Sequence, residues 1–486
     1  MTGPDLLALA PVLAPVAGGI WILMMVALVR DRDVRWPAAQ AIVFLAFGAA
    51  ASVVLLSRGT DAELFDGALL VDPRALAFHL IFALVGVLTV LVSARHLEAE
   101  GAAHGEYFAL ILFAVGGMTL MAASENLLVL FLGLEILSIC LYVLAGFTRE
   151  RVYAVEGALK YFLLGAFSTG FLLYGMALFY GASGRIDLPG IAAALTASAA
   201  SGRTDSMLLA AMALLLIGLA FKAAVVPFHF WAPDVYQGSM APVSGFMATG
   251  TKAAAFAMLL RVLDTGLADA AIRDRWVPIL SALAVLTMIL GNVVALAQQN
   301  IKRMLAYSSI ANAGYLLVAV AAGGRNGGAA PVVLFSLAAY ALMTVGAFAV
   351  AALIGRAGEE DAGYALSAYA GLGKRRPVLA AFMAVFMLSL TGIPPTAGFM
   401  GKFYVFRSAV EAGMYGLAVT GVLASVVGAY YYLRVIVQMY LREPGPAPAT
   451  VTVTPPERLA ILAAAAATLW FGLFPAALME LALLAG

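Results

Sequence analysis

The sequence predicts an all-α membrane protein with about fourteen transmembrane helices. It is 64% hydrophobic and only 11% charged, and its mean hydropathy is +0.99. A soluble domain carries about 25% charged residues, so this chain is not expected to fold in water. Apolar runs of about 20 residues recur along its whole length. Four of its six lysines fall inside such runs, although an amine in hydrocarbon costs roughly 2.5–3.5 kcal/mol.

Runs long enough to cross a bilayer define the spans in chain order. The predicted spans cover residues 5–30, 36–57, 73–95, 106–123, 125–148, 153–182, 207–231, 241–265, 276–297, 303–323, 329–355, 377–408, 412–441 and 457–483. An amphipathic segment is expected at 187–200, and no remaining stretch accommodates a soluble domain. The N-terminus lacks the basic region and small-residue cleavage site of a secretory signal, so we expect 5–30 to remain as the first span.

The composition also narrows the class of protein. The single cysteine, Cys140, excludes disulfides, cysteine-ligated iron–sulfur clusters and zinc knuckles. The net charge of +1 gives no reason to expect nucleic acid as a partner. The lipid bilayer is therefore the first partner that the sequence predicts.

The distribution of basic residues predicts how the chain is oriented. With an even number of spans, both termini lie on one side. Fifteen Lys and Arg residues fall in loops of the opposite side and nine on the terminal side. The positive-inside rule then predicts a multi-pass protein of the bacterial inner membrane with both termini in the periplasm.

Prolines interrupt two of the predicted spans, and each interrupted span carries a lysine. Pro227 follows Lys222 in the seventh span and frees the carbonyl of Ala223, because proline has no N–H. In the twelfth span Pro394 and Pro395 precede Lys402 and free the carbonyls of Leu390 and Thr391. Simple kinks are the alternative. Two such breaks five spans apart, each with a lysine, instead favour two inverted halves.

We therefore divide the chain into four segments. These are an N-terminal three-helix segment (1–105), a first inverted repeat (106–265), a second inverted repeat (266–441) and a C-terminal fourteenth helix (442–486).

A carboxylate is predicted near the centre of the fifth span. Glu135 shares one helix face with Ser138 and Tyr142, which follow three and seven residues later. A carboxylate at that depth requires a cationic partner or a proton. It belongs either to an ion pair that joins two helices or to a proton path.

The membrane lysines extend this polar set. Lys222 and His229 are seven residues apart and share a face if the seventh helix continues, while Lys252 lies too deep in the eighth span for easy snorkelling. Lys160 follows Glu156 by four residues, which favours a structural ion pair. The other two lysines, Lys302 and Lys374, are expected in loops.

Two stripes of polar side chains continue the set along the chain. They are Ser308, Asn312 and Tyr315 in the tenth span, and Ser336, Tyr340 and Thr344 in the eleventh. Each stripe alone is typical of helix–helix contacts. Joined by water, the carboxylate, the lysines and the hydroxyls would form a lateral proton relay within the membrane plane.

These residues resemble the antiporter-like proton-translocating subunits of respiratory complex I, and among them the subunit N branch. The stretches that carry the resemblance are residues 133–148, 156–176, 221–239, 250–258, 300–318 and 390–404. A lysine rather than a glutamate in the twelfth span fits the subunit N branch better than the subunit M branch.

The resemblance implies a fourteen-helix fold of two inverted five-helix repeats with discontinuous seventh and twelfth helices. It places proton-relay elements on Glu135, Lys222, Lys252 and Lys402, with His229 and Lys160 in secondary positions. Relatives often carry histidine where this chain has Asn312, which cannot take up a proton near neutral pH.

The resemblance also implies that FMN, iron–sulfur clusters, NADH and quinone belong to other subunits of the complex, so no cofactor is expected here. The expected partners are the antiporter-like paralogues and the small subunits of the membrane arm.

The same residues allow other interpretations. The chain could be a subunit of an Mrp-type sodium/proton antiporter or of a membrane-bound hydrogenase, a self-sufficient secondary transporter, or a scaffold with vestigial charges.

Overall fold

The computed structural model describes residues 3–29, 33–200, 206–356, 360–444 and 452–485 of the chain. Helices occupy every predicted span within these residues, which confirms the all-α membrane fold class. Three residues that entered the comparison of basic loops, Arg30, Arg32 and Arg203, lie outside the described residues.

Among the described residues, eleven helices are long and apolar enough to cross a membrane by themselves. They are Leu6–Val29, Arg35–Ser57, Pro73–Ala99, Leu127–Ala145, Val152–Ser183, Ala241–Gly266, Ala270–Leu296, Ile301–Asn326, Ala330–Gly355, Tyr415–Leu441 and Pro455–Leu473. We number these as spans 1, 2, 3, 5, 6, 8, 9, 10, 11, 13 and 14.

Three further spans complete the predicted set. The fourth span is the shorter helix Glu106–Ala122. The seventh consists of Ser206–Lys222 and Trp231–Gly238, and the twelfth of Pro377–Thr391 and Ala397–Glu411. The predicted discontinuities are therefore confirmed.

The structure differs from the prediction in two places outside the core. The fourteenth helix is not continuous, because Pro475 separates Pro455–Leu473 from Ala476–Leu483 and supplies no N–H to continue the first helix. A short antiparallel hairpin, Ala62–Leu64 with Leu69–Val71, joins the second and third spans. The expected amphipathic segment forms the helix Leu188–Ala200.

The eighth and eleventh spans form the centre of the bundle. Their most apolar windows are completely buried by protein, whereas only a third of the corresponding windows is buried in the first, second, sixth and fourteenth spans. A helix that is apolar on all sides and enclosed by protein fits a membrane core. Lys252 lies in this enclosed eighth span.

Two equivalent connections support the division into repeats. Asn126 and Asn300 each cap the helix that follows them, the fifth and the tenth span, through the side-chain oxygen. Asn126 also forms a β-bridge with Asp187, which follows the sixth span. Asn300 forms the equivalent bridge with Ala365, which follows the eleventh span. The repeat boundaries at 106–265 and 266–441 remain a prediction that this correspondence favours.

Charged side chains gather at the two ends of the bundle as the alternating topology requires. At the end of the bundle where the first span begins, Arg261 is only 4% exposed and pairs with Asp72 at 2.5 Å. Arg261 also donates to the Ala122 carbonyl at the end of the fourth span. Burial by itself raises the pKa of Asp72. The hydrogen bond and the charge of Arg261 outweigh this effect, so the pKa of Asp72 lies below its ordinary value. At the other end Arg151 pairs with Glu100.

Candidate functional site

The break in the seventh span places Lys222 at the end of a helix inside the protein. Ser206–Lys222 ends at this lysine, which is 4% exposed, and Ala224 follows in a left-handed conformation with φ of 56°. Such a conformation costs an alanine about 1–2 kcal/mol, and such residues concentrate at functional sites. The helix ends before Ala223, and the expectation that the carbonyl of this residue is freed stays a prediction. The Phe221 carbonyl accepts hydrogen bonds from the Ala224 N–H at 3.0 Å and from the Trp231 indole at 3.1 Å.

The fifth span supplies the groups that surround the Lys222 ammonium. Its Nζ donates to Ser138 Oγ at 2.6 Å and lies 5.9 Å from the centre of the Tyr142 ring. The centre of the Tyr161 ring, from the sixth span, also lies 5.5 Å from the Lys222 Nζ. The predicted polar face of the fifth span is therefore directed at Lys222.

Glu135 lies on the same helix, three residues before Ser138. It is partly buried, and its Oε1 accepts a hydrogen bond from Thr169 Oγ1 at 2.8 Å. Within the described residues no basic side chain is in salt-bridge contact with Glu135. A cavity of about 10 Å³ is lined both by Thr169, the partner of Glu135, and by Lys222. This approaches the volume that one water molecule occupies.

Lys252 is enclosed at the centre of the bundle. It is 2% exposed, and its ammonium donates to the carbonyl of Ser309 and lies 5.6 Å from the Tyr340 ring. The prediction that it lies too deep to snorkel is confirmed. It follows directly on a π-helical turn, Met247–Thr251, a geometry that is frequent at functional sites.

Several buried hydroxyls of the eighth, tenth and eleventh spans make no hydrogen bond of normal geometry. Across the described chain, the hydroxyls of Thr251, Ser309, Tyr340 and Thr344 are enclosed but find no acceptor or donor of normal geometry. Buried polar groups are ordinarily satisfied, by protein or by internal water.

A line of polar side chains starts at Ser308, one residue before the Ser309 carbonyl that accepts from Lys252. Ser308 Oγ is 2.5 Å from the Tyr432 hydroxyl, and the ring of Tyr432 packs on that of Tyr431. The Tyr431 hydroxyl donates to Asn292 Oδ1 at 3.1 Å, and Asn292 Nδ2 donates to the Tyr315 hydroxyl at 3.1 Å. The tenth, thirteenth and ninth spans thus contribute to one polar line, in which a ring contact joins two hydrogen-bonded parts.

This line ends at Lys402. Its ammonium lies 5.1 Å from the Tyr315 ring and donates to the carbonyls of Leu390 and Thr391, at 3.0 and 2.8 Å, and to Ser425 Oγ at 2.7 Å. The two carbonyls are those that the twelfth-span prolines were predicted to free, so this prediction is confirmed.

Two cavities adjoin Lys402. One, of about 20 Å³, is lined by Asn312, Tyr315 and Ser336 and is large enough for one water molecule. The other is a groove of about 950 Å³ between the twelfth and thirteenth spans, which leaves Lys402 only partly buried.

The two secondary site residues, Lys160 and His229, have different surroundings from the three central lysines, Lys222, Lys252 and Lys402. Lys160 is 42% exposed and pairs at 2.7 Å with both Glu156 and Asp234, so the predicted ion pair is confirmed. His229 is 4% exposed but lies in the turns that follow Lys222. Because the helix ends at Lys222, the expected shared helical face of Lys222 and His229 does not exist.

The structure corrects the position of Lys302. It was expected in a loop but is the second residue of the tenth span and is 1% exposed. Its Nζ donates to the Ser239 carbonyl at 2.8 Å and lies 4.2 Å above the Tyr364 ring.

Sequence reasoning missed several members of the polar line and also Thr169, the hydrogen-bond partner of Glu135. Thr169, Asn292, Ser425, Tyr431 and Tyr432 each lie in a long apolar run. Periodicity indicates which residues share a face of one helix, but not which neighbouring helix that face meets.

The comparisons with known proteins agree with this architecture. Residues 124–428 match the family described as NADH:quinone oxidoreductase/Mrp antiporter, TM. The chain is 49% identical over 424 residues to the NADH-quinone oxidoreductase subunit N of Trichlorobacter lovleyi, covering 87% of this chain and 85% of the relative.

Two solved structures show the same fold. A chain of respiratory complex I from Thermus thermophilus is 36% identical with a TM-score of 0.81, covering 97% of this chain and 98% of that one. A chain of the Mrp complex from Dietzia sp. DQ12-45-1b has a TM-score of 0.85 at 22% identity, covering 100% of this chain and 97% of that one, and shows the fold alone. The chain therefore belongs to the family of antiporter-like membrane-arm subunits of NADH:quinone oxidoreductase, within its subunit N branch.

Proposed function

We propose that this subunit carries protons through a lateral relay of Glu135, Lys222, Lys252 and Lys402. The observation that carries the proposal is the polar line from Ser308 through Tyr432, Tyr431 and Asn292 to Tyr315. It connects the surroundings of Lys252 with those of Lys402 by named contacts.

The three central lysines have a feature that a purely structural role does not require. Among the described residues none of them is in salt-bridge contact with a carboxylate. They are held by hydroxyls, carbonyls and aromatic faces instead. A charge so held is costly in a membrane, and such residues are by default assigned to ion or proton paths.

Glu135 and Lys222 form the first step of the proposed relay. In the structure Lys222 is bound by Ser138, one helical turn from Glu135, and Glu135 is bound by Thr169. Exchange of the Lys222 ammonium between Ser138 and Glu135 would open and close an ion pair and so gate proton loading. Between Lys222 and Lys252 we propose that internal water completes the path, with His229 and Lys160 in secondary positions.

We further propose that the subunit is not itself redox-active. Electron transfer from NADH to quinone, with its FMN and iron–sulfur clusters, is assigned to partner subunits, and the antiporter-like paralogues and small membrane subunits are its neighbours. We place it in the bacterial inner membrane with both termini in the periplasm, as the bias of basic loops indicates.

The test compares Lys222→Met with Lys374→Met in the assembled enzyme. Lys374 is 59% exposed and pairs with Glu443 outside the relay, so it is a matched control for the same substitution. We expect Lys222→Met to reduce the number of protons pumped per NADH oxidised in sealed vesicles, while Lys374→Met leaves this ratio unchanged.

Assembly is checked by flavin and iron–sulfur spectra of the purified enzyme. An unchanged proton ratio in Lys222→Met would overturn the relay. Sodium/proton exchange by a purified assembly without flavin would instead favour the Mrp-type alternative.

A further inference from the structure

A further pocket lies at the end of the bundle where the twelfth and fourteenth spans begin, and it shares no lining residue with the cavities beside Lys222 and Lys402. Its volume is about 310 Å³. Its apolar wall is formed by the residues Pro377, Val378, Leu379, Phe382, Val453 and Ile461. Three arginines, Arg375, Arg376 and Arg458, line the same pocket.

Two of these arginines have no acidic counterpart. The side chains of Arg376 and Arg458 are exposed, and no described Asp or Glu is in salt-bridge contact with either. The acidic neighbour of Arg458, Glu457, is only 1% exposed and pairs with Arg356 at 2.5 Å. The mouth of the pocket is therefore positively charged.

The start of the twelfth span adds to this charge. Pro377 is the first residue of the helix, and no side chain caps its N-terminus. The unpaired N–H groups of a first helical turn carry a partial positive charge that favours an anion. Below Arg376 the same helix presents Val378 and Phe382 to the pocket, so cationic groups at the helix start continue directly into an apolar surface.

We propose that this pocket binds an anionic phospholipid. Its phosphate would lie between Arg376 and Arg458 at the level where both helices begin. One acyl chain would follow Val378, Phe382 and Ile461 towards the membrane interior. A soluble anion would make no use of the apolar wall, and a zwitterionic lipid would leave part of the positive charge uncompensated. Basic pockets between transmembrane helices are suited to such head groups.

The experiment uses the full-length protein in its purified assembly, stripped of lipid in detergent. Binding of spin-labelled phosphatidylglycerol is compared with that of spin-labelled phosphatidylcholine. We expect phosphatidylglycerol to be preferred, and Arg376→Gln/Arg458→Gln to weaken its binding about fivefold for each arginine removed.

Two further variants separate the pocket from general surface charge. Arg149→Gln/Arg442→Gln removes two exposed arginines from the same end of the bundle outside the pocket, and we expect it to bind the lipid normally. Val378→Asp places a carboxylate on the exposed apolar wall and leaves both arginines in the sequence. We expect this variant to weaken binding.

Three outcomes would overturn the proposal. They are an equal loss in both double variants, binding that Val378→Asp leaves intact, and displacement of the lipid by millimolar inorganic phosphate. The relay is not involved, so proton pumping by Arg376→Gln/Arg458→Gln reports separately on the proposed function.

Discussion

The ammonium groups of the central lysines differ in how completely protein satisfies them. An ammonium has three donors. Lys402 places all three on described acceptors, two carbonyls and the hydroxyl of Ser425. Lys222 and Lys252 each have one such acceptor and otherwise face aromatic rings. Lys402 is thus anchored by protein acceptors, whereas Lys222 and Lys252 each retain donors for other partners.

At the residue scale, the test of the polar line is Tyr432→Phe. The substitution keeps the ring and removes only the hydroxyl that meets Ser308. We expect fewer protons pumped per NADH oxidised, because the path between Lys252 and Lys402 is interrupted. The lost hydrogen bond should cost no more than about 1–3 kcal/mol in stability.

Tyr430→Phe provides the matched control. Tyr430 is in the same helix but is 63% exposed on its outer face. Its variant should pump normally, and a proton ratio that both variants share would show that the Tyr432 hydroxyl is structural.

The two broken helices solve the same problem with different groups. Each ends inside the protein and leaves backbone carbonyls that lipid cannot satisfy. In the seventh span the indole of Trp231 binds the Phe221 carbonyl, and in the twelfth the ammonium of Lys402 binds the Leu390 and Thr391 carbonyls. Only the second break is capped by a residue of the proposed relay, so the geometry of the twelfth span and the charge of Lys402 are coupled.

At the element scale, Gly398→Ala should separate the two halves of the twelfth span. Gly398 donates its N–H to Ser389 Oγ at 3.1 Å, and a Cβ at this position would overlap the backbone of Ser389. Overpacking of this kind costs about 1–3 kcal/mol. We expect a lower midpoint of thermal unfolding for the solubilised protein.

The thirteenth span offers the comparison for this variant. A Cβ on Gly416 meets no atom within 4 Å, so Gly416→Ala should leave the midpoint unchanged or raise it slightly. Equal midpoints for the two variants would refute the close contact between the halves.

Across the whole molecule, charge joins the two predicted repeats at one end. Asp234, from the second segment of the seventh span, pairs with Lys160 at 2.7 Å and with Arg303 of the tenth span at 2.6 Å. These side chains are about one-third exposed or more. Water therefore weakens the pairs, so they contribute little to the cohesion of the bundle.

The proposed orientation can be tested on whole cells. Asp61 is exposed in the loop after the second span, and Arg442 is exposed after the thirteenth, at the opposite end of the bundle. In a Cys140→Ala background, we expect a membrane-impermeant maleimide to label Asp61→Cys from the periplasm and Arg442→Cys only after the cells are opened. The reverse pattern would invert the assignment of both termini.

The sequence by itself determined the class of fold, the positions of the spans and the two breaks. Hydropathy and proline act locally along one helix, and the bilayer accepts few backbone solutions. The same local logic identified Glu135, Lys222, Lys252 and Lys402 as costly charges at depth. It also located the Leu390 and Thr391 carbonyls, which the prolines free.

Only the tertiary structure decided what those charges contact. It enclosed Lys302, ended a helix at Lys222 and so removed the expected alignment with His229. It also brought Asn292, Tyr431 and Tyr432 from two distant spans into one line with Ser308. The physical reason is that helix–helix packing in a membrane depends on the fit of whole surfaces, which the period of a single helix does not specify.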